Sequence, residues 1–232
     1  MIGSVVVTGA AGGIGQAIVE TLKNNHLKVV AVDLSPKLAE LEDVAPVQVD
    51  LTTDEGVAAV AAAVEAAGAP LLGLVNNAGI TRDARIVNMS DEDFRKVIDV
   101  NLGAAYRLTN ALVPLMSDGG SIVNIASRAY LGNFGQFNYT MSKGGIVGLT
   151  RALALSLAPN IRVNAIAPGL IATEMAMAIP ADVLEKMVAA IPLDRMGSPQ
   201  DVANTVWYLL SPLSAYVTGE VLAVGGGRSL SR

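Results

Sequence analysis

The amino-acid sequence predicts an α/β fold: a doubly wound sheet of seven parallel strands with helices on both faces, in one domain over residues 1–232. Three observations predict it. Short β-branched runs alternate with helix-compatible stretches along the whole chain, a rhythm that makes a parallel sheet with right-handed crossovers. The composition is apolar, 52% hydrophobic and 16% charged with a mean hydropathy of +0.48, which suits strands buried on both faces and leaves surface for subunit contacts. The run Val5–Gly15, Val-Val-Val-Thr-Gly-Ala-Ala-Gly-Gly-Ile-Gly, reads as a buried strand, a glycine turn and the opening of a helix.

Taken in order, Val5–Val7 is the first strand and Gln16–Lys23 the first helix. Lys28–Val32 ends on Asp33, and Pro46–Val49 ends on Asp50; the connection between them is short. Gly56–Val75 is strongly apolar, but Glu65, Gly68 and Pro70 divide it into helix, turn and a fourth strand, Leu71–Val75, instead of a membrane span. That strand runs into Asn76-Asn77-Ala78-Gly79. Ser90–Met116 opens with an N-cap serine followed by Asp91, Glu92 and Asp93, which complement a helix N-terminus; it is expected to break in two near Asn101–Gly103. Ser121–Ile125, Ile161–Ile166 and Val221–Val224 complete the strands, and Tyr139–Leu157 is a helix with a small, apolar surface. Gly169–Ile191 interrupts the rhythm and carries Met175, Met177 and Met187. It reads as a substrate loop near residues 170–191, although an ordinary amphipathic helix would also hold these methionines.

A net charge of −5 and a pI of about 4.9 give no reason to expect a nucleic-acid or anionic-membrane partner. Without cysteine there is no disulfide and no thiolate chemistry. The single histidine, His26, falls in a loop, which argues against a histidine triad or a zinc site, so no metal is expected. No signal peptide precedes the first strand, and a cytoplasmic protein is expected.

Several residues carry chemistry. A glycine turn lets the backbone approach a pyrophosphate at a helix N-terminus. A carboxylate at the end of the second strand, Asp33, can hydrogen-bond ribose hydroxyls, selecting NAD and repelling the 2′-phosphate of NADP; alone, a turn aspartate would look the same. Tyr139 and Lys143 lie four apart on one helical face. An ammonium near a phenol favours the phenolate, which would fit Tyr139 as a general acid or base. Ser127, Asp33 and Asn76–Gly79 all sit at carboxyl ends of strands, where an open parallel sheet binds ligands, and Asn101 marks the expected break in the long helix.

In this order and spacing the motifs resemble those of the classical short-chain dehydrogenase/reductase family, over essentially the whole chain. Thr8-Gly9-x-x-x-Gly13-x-Gly15 resembles its cofactor turn, Asn76-Asn77-Ala78-Gly79 its motif after the fourth strand, and Asn101, Ser127, Tyr139 and Lys143 its catalytic tetrad. The resemblance implies a Rossmann fold, direct hydride transfer between nicotinamide and a substrate carbon, and a role for each residue. Tyr139 would pass the proton, Ser127 polarise the carbonyl, Lys143 bind the nicotinamide ribose and lower the Tyr139 pKa, and Asn101 hold a relay water. Gly9, Gly12, Gly13, Ile14, Gly15, Asp33 and Leu34 would bind the cofactor, Asp50 and Leu51 flank its adenine, and Asn77, Ala78 and Gly79 line its channel. Pro168, Gly169, Ile171 and Thr173 would meet the nicotinamide side. NADP-preferring relatives often carry a basic residue where this chain has Gly12, so Gly12 and Asp33 both favour NAD; Lys37 is the nearby cation that could object.

Within the family the chain most resembles 3-oxoacyl-[acyl-carrier-protein] reductases, through Gly79-Ile-Thr-Arg-Asp83, Gly132-Asn133 and Gly135-Gln136-Phe-Asn-Tyr139. Those enzymes usually use NADPH and dock an acidic carrier with basic residues. Here the matching segments, Ser117–Gly120 and Ala158–Asn160, carry no cation, although Arg82, Arg85, Arg107 and Arg128 could substitute. Three readings follow: an NAD(H)-dependent alcohol–ketone oxidoreductase, an acyl-carrier or acetoacetyl-CoA reductase, and a non-catalytic NAD-binding regulator. The resemblance also implies a homotetramer pairing the Leu102–Met116 and Tyr139–Leu157 helices, where Gly144, Gly145 and Gly148 would permit close approach. Phe134, Phe137, Met175, Met177 and Ile179 would favour a substrate with apolar groups, and the substrate loop offers no carboxylate anchor before Lys186.

Overall fold

The structure is a computed structural model that describes residues 3–228, apart from the side chain of Met175. Seven parallel strands form one sheet in the order β3-β2-β1-β4-β5-β6-β7. They are β1 (Ser4–Thr8), β2 (Lys28–Asp33), β3 (Ala45–Gln48), β4 (Leu71–Asn76), β5 (Met116–Ile125), β6 (Arg162–Pro168) and β7 (Val221–Val224). The chain winds outward from β1 to β3, returns to place β4 beside β1, and continues outward the other way. Strand order therefore reverses between β1 and β4, which opens a crevice at their carboxyl ends.

β1 shows why the sheet forms. All five of its residues are buried, and successive side chains point to opposite faces. Val5 and Val7 pack against α1 (Gly13–Asn24) and α8 (Pro199–Leu210), with Ile18, Leu22, Val206 and Leu209. Val6 joins Val60 of α2 (Asp54–Ala66) and Leu108 and Leu112 of α4 (Ala104–Leu112) on the other face. Each such side chain contributes about 1.5–3 kcal/mol by leaving water, so the unbroken valine run is the nucleus of both layers.

The long segment after Ser90 does not break. Ser90 accepts a hydrogen bond from the Asp93 N–H and caps α3 (Asp91–Ile98). The helix then passes through a π-turn, Asp99–Gly103, directly into α4. An inserted residue widens the helix without ending it, so the Asn101–Gly103 signal is a bulge. Pro114 lies in a short 3-10 turn, Val113–Leu115, and Met116 already belongs to β5. Between β2 and β3 only a 3-10 turn, Pro36–Glu40, intervenes.

α5 (Phe137–Leu157) contains Tyr139 and Lys143. Residues 170–191 fold into α6 (Glu174–Met177) and α7 (Ala181–Ala189), which gather on a small core of Leu170, Ala176 and Ile191 with Ile179, Leu184 and Met187. Met187 is thus a packing residue. α8 has no counterpart among the expected helices, although its signal was present: Ser198 and Asp201 form a reciprocal capping box ahead of Val202, Val206 and Leu209. His26 is exposed in the turn after α1, with φ at 60°. Among the described residues no helix is long and apolar enough to cross a membrane, and no group of three or more His, Asp or Glu is arranged to hold a metal ion.

Candidate active site

The glycine turn closes on itself at two points. Gly9 has φ +64°, and a Cβ there would lie 2.9 Å from the Ala78 Cα. A Cβ on Gly15 would lie 2.0 Å from the Gly9 carbonyl oxygen. Both positions need glycine for space. Gly12 does not: it is extended at φ −83°, and the nearest atom to a Cβ would be 3.6 Å away. Gly12 caps α1 without a side-chain hydrogen bond, so the first N–H groups of the helix keep capacity for an anion. Ile14 packs partly into the core below.

Asp33 stands beside this turn. Its Oδ2 accepts from the Ala11 N–H at 2.9 Å and its Oδ1 from the Ser35 N–H at 2.9 Å, so the carboxylate is fixed in place at the end of β2. The neighbouring Leu34 is 64% exposed, an apolar surface that no protein group covers. Further along the edge, Asp50 accepts from the backbone and hydroxyl of Thr52, which hold its carboxyl below the usual aspartate range. Leu51 packs partly against the core.

β1 and β4 are locked at their tips. Thr8 Oγ1 accepts from the Asn77 and Ala78 N–H groups, each at 2.9 Å, while Asn77 Nδ2 donates to the Thr8 and Gly9 carbonyls. Below them Asn76 Nδ2 donates to Thr109 Oγ1 and Asn124 Oδ1, and Asn124 Nδ2 donates to Thr150 Oγ1. This buried network ties β4, β5, α4 and α5 together; buried amides need such partners.

The centre of the site lies where α5 crosses the ends of β4 and β5. Lys143 is 3% exposed, and its Nζ donates to the Ile125 carbonyl at 2.7 Å. The ammonium lies 5.6 Å from the centroid of the Tyr139 ring. Asn101 is equally buried: its Oδ1 accepts from the Ile80 N–H, and its Nδ2 donates to the Ile80 carbonyl and to Ser142 Oγ. A Cβ on Gly79 would lie 3.2 Å from Asn101 Oδ1 and 3.4 Å from Lys143 Nζ, so a side chain here would crowd both. Ser127 caps a 3-10 turn, Arg128–Leu131, by accepting from the Ala129 N–H. Tyr139 is held by Asn138, whose Oδ1 accepts from the Tyr139 N–H at 2.7 Å and whose Nδ2 donates to the Arg82 carbonyl. Asn138 is fully buried and escaped the sequence reading, because nothing in an Asn-Tyr pair announces a backbone clamp.

Two details of the geometry bear on the expected roles. Burial pushes the Tyr139 phenol above its ordinary value, and the Ser127 hydroxyl pulls it the other way. The Lys143 ammonium stands over the ring and donates to the Ile125 carbonyl. Burial lowers the pKa of Lys143 itself, to about 8. Second, both amide protons of Asn101 are spent on protein. Its side chain pins the Ile80 segment to the π-turn.

The loop after β6 folds back over the site. The Gly169 N–H donates to the Val224 carbonyl, and a Cβ on Gly169 would lie 2.8 Å from the Gly225 Cα. Pro168 is buried at the end of β6. Ile171 is also buried, pairs with Gly197 and anchors the loop in the core. Thr173 then brings its methyl within 3.6 Å of a Cβ position on Gly13, joining the loop to the glycine turn. Lys37 reaches Glu174 at 3.7 Å, an exposed pair worth little. Phe137 stacks on Phe94 at 5.9 Å while staying 39% exposed, and Ile179 packs partly buried against the loop's own core. Phe134 and Met177 remain exposed.

Residues 9–229 match the family described as Enoyl-(Acyl carrier protein) reductase. The chain is 40% identical over 235 residues to a 3-oxoacyl-[acyl-carrier-protein] reductase FabG of Thermotoga maritima, covering 96% of each. It is 42% identical over 238 residues to an acetoacetyl-CoA reductase of Acinetobacter sp., again covering 96% of each. Among solved structures, a short-chain dehydrogenase/reductase (glucose/ribitol dehydrogenase) from Brucella melitensis superposes with a TM-score of 0.94 at 32% identity, over 99% of this chain and 97% of that one. The ligand-free aldohexose dehydrogenase of Thermoplasma acidophilum gives 0.91 at 33% identity, over 99% and 95%. With these likenesses spanning the whole sheet and the crevice at its carboxyl edge, the chain belongs to the short-chain dehydrogenase/reductase family and is an oxidoreductase acting on CH–OH groups.

Proposed function

We propose that the protein interconverts a secondary alcohol and a ketone with NAD(H), with Tyr139 as the general acid and base. The observation that carries this reading is the clustering of Tyr139, Lys143, Asn101 and Gly79 where α5 meets the β4 and β5 ends, with Ser127 facing the phenol. The glycine turn fits a dinucleotide: Gly9 and Gly15 leave no space for a side chain, while α1 presents an open N-terminus. Gly9, Gly12, Gly13, Ile14, Gly15, Asn77, Ala78 and Gly79 would hold it, with Thr173 closing over Gly13. Leu34 and Leu51 would flank its adenine beside Asp50. A bound nicotinamide supplies or takes the hydride.

The chain's own groups do the rest. Ser127 donates to the substrate oxygen and stabilises charge that develops there. Tyr139 gives that oxygen a proton on reduction and takes it back on oxidation. Lys143, held by the Ile125 carbonyl, presents its remaining N–H groups to the ribose hydroxyls. Asn101 fixes the Ile80 segment and, through Ser142, the first turn of α5. The NAD preference rests on the fixed Asp33 carboxylate, which would repel a 2′-phosphate, and on the absence of a cation at Gly12.

Replacing Tyr139 with Phe tests the mechanism. Turnover of a ketone found by screening should fall by about 10²–10⁴-fold, with NADH binding retained. A loss of only a few-fold would overturn the assignment. The names of the relatives favour a second reading, reduction of a 3-oxoacyl thioester; preferred turnover of acetoacetyl thioesters with NADPH would establish it. The regulator reading is disfavoured by the intact Tyr139–Lys143 pair, and tight NADH binding without turnover would revive it.

We also take the protein to be cytoplasmic and a homotetramer. An apolar groove of about 360 Å³ runs along α3 and α4 between Phe94, Ile98, Leu102 and Tyr106. Gly144 and Gly148 on α5 face open space, which suits close approach of a second helix, whereas Gly145 makes room for Leu102.

A further inference from the structure

Tyr139 sits where α5 supports itself least. Phe137 is the first residue of that helix and Tyr139 the third, so the Tyr139 N–H is one of the orphan donors at a helix start. Gln136, at the N-cap position, does not relieve this. Its side chain makes no capping hydrogen bond and donates instead to Asp83 Oδ2 at 2.9 Å. Unsupported first turns fray, whereas a catalytic group misplaced by about 1 Å can cost about 10²-fold in rate.

Two side chains supply the missing support. Asn138 Oδ1 accepts from the Tyr139 N–H at 2.7 Å, and Ser142 Oγ donates to the Tyr139 carbonyl at 2.8 Å. Both main-chain polar groups of Tyr139 are thus held by side chains, and Asn138 and Ser142 are each 0% exposed. Neither holder is loose. Asn138 Nδ2 donates to the Arg82 carbonyl at 3.0 Å and lies 3.3 Å from Met89 Sδ. Ser142 Oγ accepts from Asn101 Nδ2 at 3.0 Å, and Asn101 is bonded in both directions to the main chain of Ile80. Both holds therefore end on residues 80–82, which continue directly from Gly79. Packing alone would be served by apolar residues at both positions, since a buried amide or hydroxyl is costly unless it is partnered.

We propose that Asn138 and Ser142 are positioning residues for the reaction: together they clamp the main chain of Tyr139 to the 80–82 segment and so register its phenol against the site that begins at Asn77. The inference rests on Tyr139 as the general acid and base. Lys143 needs no such clamp, because its ammonium is bonded directly to the Ile125 carbonyl. Because the clamp acts through Tyr139, its loss lowers kcat and leaves the binding of cofactor and ketone in place.

The test is a double-mutant cycle with Tyr139→Phe, using NADH and the faster of methyl acetoacetate and cyclohexanone. Asn138→Ala is the direct variant. Ser142→Ala removes the milder of the two holds and serves where Asn138→Ala fails to fold; NADH affinity and melting temperature are the controls. Asn138→Ala should lower kcat at least about tenfold and Ser142→Ala several-fold, with KM and NADH affinity within about twofold of wild type. In the Tyr139→Phe background each should change the residual kcat by less than about twofold, because the group they position is already gone. Equal losses in the two backgrounds, or a loss in KM or NADH affinity with kcat unchanged, overturn the clamp and leave Tyr139 as the general acid. Tyr139→Phe retaining nearly full activity overturns both.

Discussion

Lys143 carries an electrostatic cost that can be measured. Burial lowers its pKa from 10.5 to about 8, so between those values the unfolded chain binds more protons than the folded one. Stability must then rise with pH through that window. Below pH 8 the full penalty applies, about 3 kcal/mol for a shift of this size, and it is relieved by pH 10.5. Chemical denaturation at pH 7.5 and 9.5 should therefore show the wild type gaining stability at the higher pH, and Lys143→Met should lack that gain. The proposed NAD preference also belongs to single residues. A side chain at Gly12 meets no obstacle within 3.6 Å, so Gly12→Arg with Asp33→Ser should fold normally. Its NADPH-to-NADH ratio of kcat/KM should rise at least about tenfold, since a carboxylate–phosphate repulsion is replaced by a charge-assisted contact.

The glycine turn and the π-turn are the elements that decide whether the site is assembled. Gly15→Ala would drive a Cβ into the Gly9 carbonyl; it should weaken NADH binding and lower the melting temperature, whereas Gly12→Ala should be nearly silent. Calorimetry and NADH fluorescence titration check both. The turn was legible in the sequence because glycine spacing reports backbone demand directly, although only coordinates separate Gly9 and Gly15, which are required, from Gly12, which is not. The strands were legible for a similar reason, since a residue buried on both faces must be apolar. The π-turn was not. A widened helical turn keeps the local composition of a helix, and Asn101–Gly103 reads equally as a break. Asn138 and the Asn76–Asn124–Thr150 network were hidden too, because they join residues brought together only by β4–β5 pairing and the packing of α5. Lys143 shows the same limit: the four-residue spacing from Tyr139 is visible in the sequence, but the Ile125 carbonyl that claims its ammonium is not.

At the scale of the whole molecule, the order β3-β2-β1-β4-β5-β6-β7 brings the ends of β1, β2, β4 and β5 to one crevice, and residues far apart in sequence become one site. The apolar groove over α3 and α4 concerns the assembly. Tyr106 is 57% exposed there, and Tyr106→Glu should shift the protein to a smaller species in light scattering without altering its far-ultraviolet circular dichroism. The central claim is that Tyr139 and its neighbours support direct hydride exchange between NADH and a ketone. Its most direct test incubates the protein with NADH deuterated at the transferable position and with a reducible ketone, followed by mass and NMR analysis of the alcohol. The account predicts one deuterium on the carbinol carbon, formed by wild type and nearly abolished in Tyr139→Phe. Alcohol without deuterium at that carbon, or equal labelling by the two proteins, would contradict it.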